Sequence, residues 1–261
     1  MKTIEFFKYQ GTGNDFVIID NRNGEFNGDD TTLVSHLCDR RFGIGGDGLM
    51  LLEDHPELSF TMRYFNSDGR EASMCGNGGR CIAAFAVHKG LIADVDNFAF
   101  MAVDGKHHAA YKDGIITLKM IDVPNFLQGD NSYFLNTGSP HHVTFVDTVS
   151  DCDVVAEGRK IRNSVEYAPD GCNVNFVALK GGNQLEVRTY ERGVEDETLA
   201  CGTGVVASAL AAHLRRPQHT DFDIKVMGGQ LRVHFTPTDK GFRDIWLEGP
   251  ATLVFKGSIE V

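Results

Sequence analysis

Apolar and polar positions alternate through Thr61-Met62-Arg63-Tyr64-Phe65 and again through Leu185-Glu186-Val187-Arg188-Thr189-Tyr190, the two-residue period of a strand with one buried face. Each run leads toward a short cysteine–glycine segment: Met74-Cys75-Gly76-Asn77-Gly78 in the first half, Ala200-Cys201-Gly202-Thr203-Gly204 in the second. Beyond each segment the period becomes helical. Ile82, Phe85, Ala86 and Lys89 share one face and Gly90 stops the first helix; the second is expected over 205–214, ending before Pro217. Short β-rich runs dominate elsewhere, at 115–120, 173–179, 222–226, 231–235, 245–247 and 253–256. The pattern predicts a mixed α+β chain, rich in strands, with one prominent helix per half.

The two halves resemble each other. Thr12-Gly13 precedes the apolar run Phe16-Val17-Ile18-Ile19-Asp20, and Thr137-Gly138, 125 residues later, precedes Val143-Thr144-Phe145-Val146-Asp147. The cysteine–glycine segments are offset by 126 residues, and 71–86 and 197–212 share six of sixteen positions. Two landmarks at nearly one offset, close to half the chain, indicate a duplication. The expected architecture is a pseudo-twofold pair of similar domains, 1–122 carrying Cys75 and 123–261 carrying Cys201, with Val123-Pro124-Asn125 interrupting the pattern between them.

Composition narrows the class. The chain has 261 residues, 42% of them apolar and 23% charged, which is globular rather than disordered. A formal charge of −11 argues against a nucleic-acid surface. No apolar run approaches the roughly 18 residues of a membrane span, and the N-terminal residues lack a signal-peptide core. A soluble, cytoplasmic protein is expected. Glycine stands out: 29 residues, gathered at the turns around these landmarks.

The glycines matter because of what they flank. Cys75 and Cys201 each directly precede an expected helix, whose first N–H groups carry partial positive charge and suit a carboxylate. The same field lowers a thiol's pKa and makes it a usable acid or base. Inverting a stereocentre by proton transfer needs a base on one face and an acid on the other. A thiolate and a thiol held on opposite faces of one α-carbon meet that need in both directions, and the bound carboxylate receives the developing charge. Such a reaction requires no pyridoxal phosphate, and no Schiff-base lysine motif stands out.

Other readings compete. A lone cysteine is most often a small buried hydrophobe, which is the expectation for Cys38, Cys81, Cys152 and Cys172. The cysteines and histidines lack zinc-ligand spacing, and a structural disulfide does not fit a cytosolic protein. Gly43-Ile44-Gly45-Gly46-Asp47-Gly48 fits G-x-G-x-x-G, but a helix-like segment at 33–41 precedes it and a strand-like one at 49–53 follows, the reverse of a dinucleotide site.

Along nearly its whole length the chain resembles the diaminopimelate epimerases. The signs run in order: Gly11-Thr12-Gly13-Asn14-Asp15-Phe16, Arg41-Phe42-Gly43-Ile44-Gly45-Gly46-Asp47-Gly48, Tyr64-Phe65-Asn66-Ser67-Asp68-Gly69 and Met74-Cys75-Gly76-Asn77-Gly78-Gly79-Arg80-Cys81. They continue with Gly138-Ser139-Pro140-His141, Asn173-Val174-Asn175-Phe176-Val177, Tyr190-Glu191-Arg192-Gly193 and Ala200-Cys201-Gly202-Thr203-Gly204. The resemblance implies cofactor-independent interconversion of L,L- and meso-diaminopimelate, on the way to lysine and peptidoglycan precursors. It implies two similar barrel-like domains, each around a central helix, an active site in the cleft between them, a last strand near 252–261 returning to the first domain, and a homodimer.

By that resemblance Cys75 and Cys201 transfer the proton, with His141 and Glu191 in the catalytic set. Gly76, Asn77, Gly202 and Thr203 would bind the carboxylate at the reacting centre, and Asn14, Asn66, Asn173, Glu191 and Arg192 would contact the rest of the substrate. The residue types suit such a substrate, with a guanidinium for the far carboxylate and carboxylate or carbonyl acceptors for the ammonium groups. Taken singly, Asn14 and Asn66 read equally well as turn residues, Glu191 and Arg192 as a solvated strand-end pair, and His141 as a loop histidine. Three departures stand out: Ser139 where the family often has Asn, Gly48 where some members carry Gln, and a loop at 193–198 one residue longer than usual. The competing functions are a proline or hydroxyproline racemase, which typically carries Met-Cys-Gly-His at its first cysteine, a non-catalytic amino-acid-binding protein, and a thiol–disulfide oxidoreductase, which lacks its C-x-x-C here.

Overall fold

The computed structural model describes residues 2–261. Contacts divide the chain into two compact units, one ending at Leu118 and resumed at Gly249–Val261, the other Lys119–Glu248. The division expected at 122/123 and the one at Leu118/Lys119 differ for a local reason. Met120 N–H donates to Ile245 O at 2.8 Å, and Val123 and Phe242 exchange backbone bonds at 2.8 and 2.7 Å, which ties 119–123 to the second unit.

The first unit runs β1 (Thr3–Gly11), β2 (Asn14–Asp20), α1 (Thr31–Cys38), β3 (Gly48–Glu53), β4 (Thr61–Asn66), α2 (Gly76–His88), β5 (Phe98–Ala102), β6 (Gly105–Lys112) and β7 (Ile115–Lys119). Pairing is antiparallel for β1–β2, parallel for β2–β3, antiparallel for β3–β4, parallel for β4–β5, then antiparallel for β5–β6 and β6–β7. A parallel pair needs a crossover, and α1 and α2 fill those two connections. The β1–β2 hairpin turns on Thr12 and Gly13, both at positive φ (49° and 95°), the two-residue turn that matches strand twist.

The second unit runs β8 (Leu127–Gln128), β9 (Ser132–Asn136), β10 (Pro140–Phe145), α3 (Val154–Arg162), β11 (Asn173–Leu179), β12 (Gln184–Glu191), β13 (Asp196–Thr198), α4 (Gly202–Arg215), β14 (Asp221–Val226), β15 (Gly229–Pro237) and β16 (Phe242–Pro250). From β9 the pairings repeat those of the first unit: antiparallel β9–β10, parallel β10–β11, antiparallel β11–β12, parallel β12–β14, antiparallel β14–β15 and β15–β16. Again the helices α3 and α4 occupy the two crossovers. The final strand, β17 (Thr252–Glu260), pairs antiparallel with β1, as β8 does with β9. Six consecutive pairings in the same order are a duplication of fold. The loop at 193–198 closes a small hairpin, with β13 returning antiparallel on β12.

The cores explain the helices. Nearly every residue from Gly76 to Ala86 of α2 is buried, as are Gly202 and Gly204 to Ala212 of α4. Apolar and small residues on all sides are the mark of a helix surrounded by its own unit. Both helices begin directly after the cysteine, so α4 starts three residues earlier than its apolar period suggests. Gly79 N–H donates to Cys75 O at 2.7 Å and Val205 N–H to Cys201 O at 2.9 Å, closing each first turn. Helix α1 lies before 43–48 and strand β3 after it, the order that disfavours a dinucleotide fingerprint.

Cys38, Cys81 and Cys172 are buried thiols, pushed up by burial to about 12, 12 and 11. Cys152 departs from the expectation of a core residue. It is only partly buried, and its Sγ lies 3.7 Å from Thr148 O in the connection before α3.

Candidate active-site residues

In the first unit Cys75 is the N-cap of α2, extended at φ −93°, ψ 137°, and no side chain caps the helix end. The next residues carry a polar chain into the interior. Arg80, fully buried, donates from Nη2 to Thr12 Oγ1 and to Asn77 Oδ1, both at 3.0 Å. Asn77 Nδ2 donates to Asn14 Oδ1, and Asn14 Nδ2 donates to Asp47 Oδ2 at 2.9 Å. A guanidinium only donates and a carboxylate only accepts. With Arg80 at one end and Asp47 at the other, neither amide can flip without facing like against like.

Asp47 is itself held. Arg40 bridges Asp47 at 2.7 Å and Asp15 at 2.6 Å, and Lys8 pairs with Asp15 at 2.8 Å. Burial pushes the Asp15 carboxyl up, but hydrogen bonds from Arg40 and Lys8 outweigh it and hold the group at about 2. Asn66 ends β4 opposite Gly48. Its side chain is exposed, while its backbone N–H donates to Arg70 O at 2.9 Å. The structure thus joins Asn14, Asn77 and Gly76 around one helix end and places Asn66 on the rim of the same unit.

In the second unit Cys201 is the N-cap of α4, extended at φ −117°, ψ 111°, and again no side chain caps the helix. Thr203 Oγ1 lies 3.5 Å from Cys201 Sγ and 2.9 Å from His141 Nε2. His141 is not a loop residue. It lies in β10, beside Asn173 of β11, and is fully buried. Burial, aided by the charge of Arg192, pushes its imidazole down to about 3, so the ring is neutral at physiological pH. Asn173 Oδ1 accepts from Arg192 N–H at 2.8 Å, and Glu191 Oε2 accepts from Thr198 Oγ1 at 3.0 Å. Arg192 is partly exposed and gives one bond, 3.2 Å, to Asp170 O. Asn173, His141, Arg192 and Thr203 therefore form one connected set within this unit.

The duplication extends to side chains that no motif singled out. Arg63 of β4 forms a two-pronged pair with Glu71 at 2.9 and 3.1 Å. Arg188 of β12 does the same with Glu197 at 2.6 and 2.7 Å. Each glutamate stands four residues before its cysteine, so each pair ties a strand to the segment entering the helix. Asn66 and Glu191, 125 residues apart, close the equivalent strands β4 and β12. Arg80 and Asn175 lie within the quoted motifs but carry no expected role there. A charged residue among the small apolar residues of α2, and the alternation that puts Asn173 and Asn175 on one strand face, were the available signals. Among the described residues no group of three or more His, Cys, Asp or Glu has the arrangement to hold a metal ion.

Known proteins share both the sequence and the fold. The family model described as diaminopimelate epimerase matches residues 6–116 and 133–254. A diaminopimelate epimerase of Flavobacterium psychrophilum is 49% identical over 258 residues, spanning 98% of this chain and 100% of its own. One from Chlorobaculum tepidum is 42% identical, over 95% of this chain and 98% of its own. Among solved structures, a phenazine biosynthesis protein of the PhzF family from Bacillus anthracis superposes with a TM-score of 0.78 over 100% of both chains, at 14% identity. A hydroxyproline epimerase from Agrobacterium vitis reaches 0.68, over 99% of this chain and 91% of its own, at 13% identity. At such identities the two structures speak for the fold alone, two similar strand-rich domains, whereas the sequence matches run end to end. The chain belongs to the diaminopimelate epimerase family.

Proposed function

We propose that this protein interconverts L,L- and meso-diaminopimelate by moving one α-proton between two thiols, without an organic cofactor or a metal. The observation that carries the reading is the repeated helix start. Cys75 and Cys201 each cap a buried helix in extended backbone conformation, with that helix's first N–H groups directly beyond the thiol. In each direction a thiolate removes the α-proton and the other thiol returns one to the opposite face, so the two exchange protonation states with every turnover. The reacting carboxylate takes up the charge of the carbanion, stabilised by the N–H groups of Gly76 and Asn77 and of Gly202 and Thr203.

The remaining groups bind and orient. Arg192 presents a guanidinium to the distal carboxylate. Asn14, Asn66, Asn173 and Glu191 supply acceptors for the ammonium groups and donors for the carboxylates. His141, neutral and buried, acts as a fixed hydrogen-bonding group. Reactive thiols of this kind need a reducing compartment, which supports a place in the cytoplasm. The product would serve lysine and peptidoglycan precursor synthesis, and the family resemblance supports a homodimer, to be read by light scattering.

The test is to incubate the protein with L,L-diaminopimelate in heavy water, with no added cofactor, and follow stereochemistry and the α-proton. In the first turnover deuterium is expected at the inverted α-carbon only, and Cys75→Ala and Cys201→Ala should each abolish epimerisation. Full activity in either alanine variant would sink the two-thiol mechanism, and turnover of proline in place of diaminopimelate would move the assignment to a proline racemase.

A further inference from the structure

Asn175 has no role in the chemistry above, yet it is fully buried and every polar atom of its amide is engaged. Its Nδ2 donates to His142 O at 3.1 Å and faces His141 Nδ1 at 3.0 Å; its Oδ1 accepts from Thr189 Oγ1 at 3.0 Å. A backbone carbonyl can only accept, so His142 O fixes which end of the amide is nitrogen. Thr189, directly opposite Asn175 on β12, then gives its hydroxyl hydrogen to the other end, the oxygen. The second Nδ2 hydrogen then points at His141 Nδ1, which must be the ring's bare, accepting nitrogen.

The consequence passes along the ring. A neutral imidazole carries one proton, so it sits on Nε2 and is donated to Thr203 Oγ1 at 2.9 Å. The Asn173 amide nitrogen also lies 3.5 Å from Nε2, and one of its two hydrogens goes to Pro140 O at 3.2 Å; Thr203 Oγ1, at 2.9 Å, is the nearer partner of the ring. Thr203 Oγ1, already accepting from the ring, has its own hydrogen left to give, and Cys201 Sγ lies 3.5 Å away. The fit is close: a Cβ on Gly204, in the first turn of α4, would overlap Asn175 Oδ1 and meet His141 Cε1 at 3.3 Å.

We propose that Asn175 is a positioning residue that fixes His141 in the Nε2–H tautomer, so that Thr203 donates its hydroxyl hydrogen to Cys201 and stabilises the thiolate. The inference rests on Cys201 being an acid–base residue, as in the proposed function. It gives His141 a different part from that of a base: the ring never gains or loses a proton, and its direction of donation is what counts. A hydrogen bond to the charged form of the thiol favours that form.

Two measurements test it on the intact protein, and neither needs substrate. The first is the tautomer of His141, read from ring-nitrogen chemical shifts in protein labelled with ¹⁵N-histidine. The wild type should show protonated Nε2 and bare Nδ1, and Asn175→Asp, read at pH 9 where the ring is neutral, should show the proton on Nδ1. The second is the pH dependence of Cys201 alkylation by iodoacetamide, resolved by peptide mass spectrometry. In Thr203→Val the midpoint should rise by about one pH unit, a tenfold loss of thiolate, and Thr203→Ser should restore it. A wild-type ring protonated on Nδ1, or a Thr203→Val midpoint equal to the wild type, would overturn the inference. If the protein failed to epimerise diaminopimelate while both measurements came out as expected, the functional reading alone would fall.

Discussion

The Arg80 guanidinium lies under the first turn of α2 and gives Asn77 Oδ1 a hydrogen bond of 3.0 Å, yet among the described residues none of its hydrogen bonds goes to a carboxylate. Its Nε is buried without a partner, and burial lowers its pKa from the ordinary arginine value. Nature keeps such a charge at a cost of several kcal/mol unless something offsets it. Here the positive charge interacts electrostatically with Cys81 first and with Cys75 second, and the same group fixes Asn77 and, through it, Asn14.

Arg80→Met keeps the volume and removes the charge. Replacing a buried ion by an apolar side chain is often close to neutral, while Asn77 Oδ1, losing its 3.0 Å donor and keeping Thr12 Oγ1 at 3.5 Å, costs about 1–3 kcal/mol. Urea unfolding should therefore show a loss below about 3 kcal/mol, and kcat/KM should fall at least about tenfold. A large stability loss with unchanged kcat/KM would make Arg80 a purely structural residue.

The two duplicated ion pairs should not be equal. Arg188 and Glu197 are 23% and 15% exposed, against 25% and 37% for Arg63 and Glu71. Arg188 also gives 2.9 and 3.1 Å bonds to Val149 O and Cys152 O. Arg188→Met should cost about 1–3 kcal/mol, and Arg63→Met, in the more solvated pair, less than about 1 kcal/mol. Thermal or urea denaturation of the two variants side by side checks the order.

Gly204→Ala introduces a methyl where the Asn175 amide already lies. Helix propensity alone would favour alanine by up to about 1 kcal/mol. Overpacking at a hydrogen-bonded amide should reverse the sign, with a net loss of about 1–3 kcal/mol and impaired turnover. Gly193→Ala is no control, since its φ of 94° is strained for alanine. Gly181→Ala, with open space at its Cβ, is.

Acid should destabilise the fold through His141. Its pKa is about 3 in the folded protein and 6.5 as a free group, so below pH 6.5 the unfolded chain takes up a proton that the native protein refuses. Stability is full above pH 6.5 and falls as pH drops from there toward 3. His142, also pushed down by burial, adds to the loss below pH 6.5. The melting temperature of the wild type should fall between pH 7 and 5, and His141→Gln should flatten that slope.

Much of this was legible in the sequence because it is encoded locally. Residues 173–179 read as a strand and are one, the alternation before each cysteine became β4 and β12, and the offset of about 125 residues between matched turns became two units with the same order of pairings. Periodicity, turn residues and a helix start depend on neighbours a few positions apart, so the sequence by itself determined the elements, the duplication and the two thiol-bearing helix ends. His141 shows where local reading stops. Its neighbours Gly138, Ser139 and Pro140 look like a loop, but β10 is closed by pairing with β9 on one side and β11 on the other. Only the tertiary structure decided its burial, the run from Arg80 through Asn77 and Asn14 to Asp47, and the amide of Asn175 that orients the imidazole. Those bonds join residues up to 63 positions apart, and a hydrogen bond's direction depends on which atoms the folded chain brings within about 3 Å, a fact no spacing along the sequence contains.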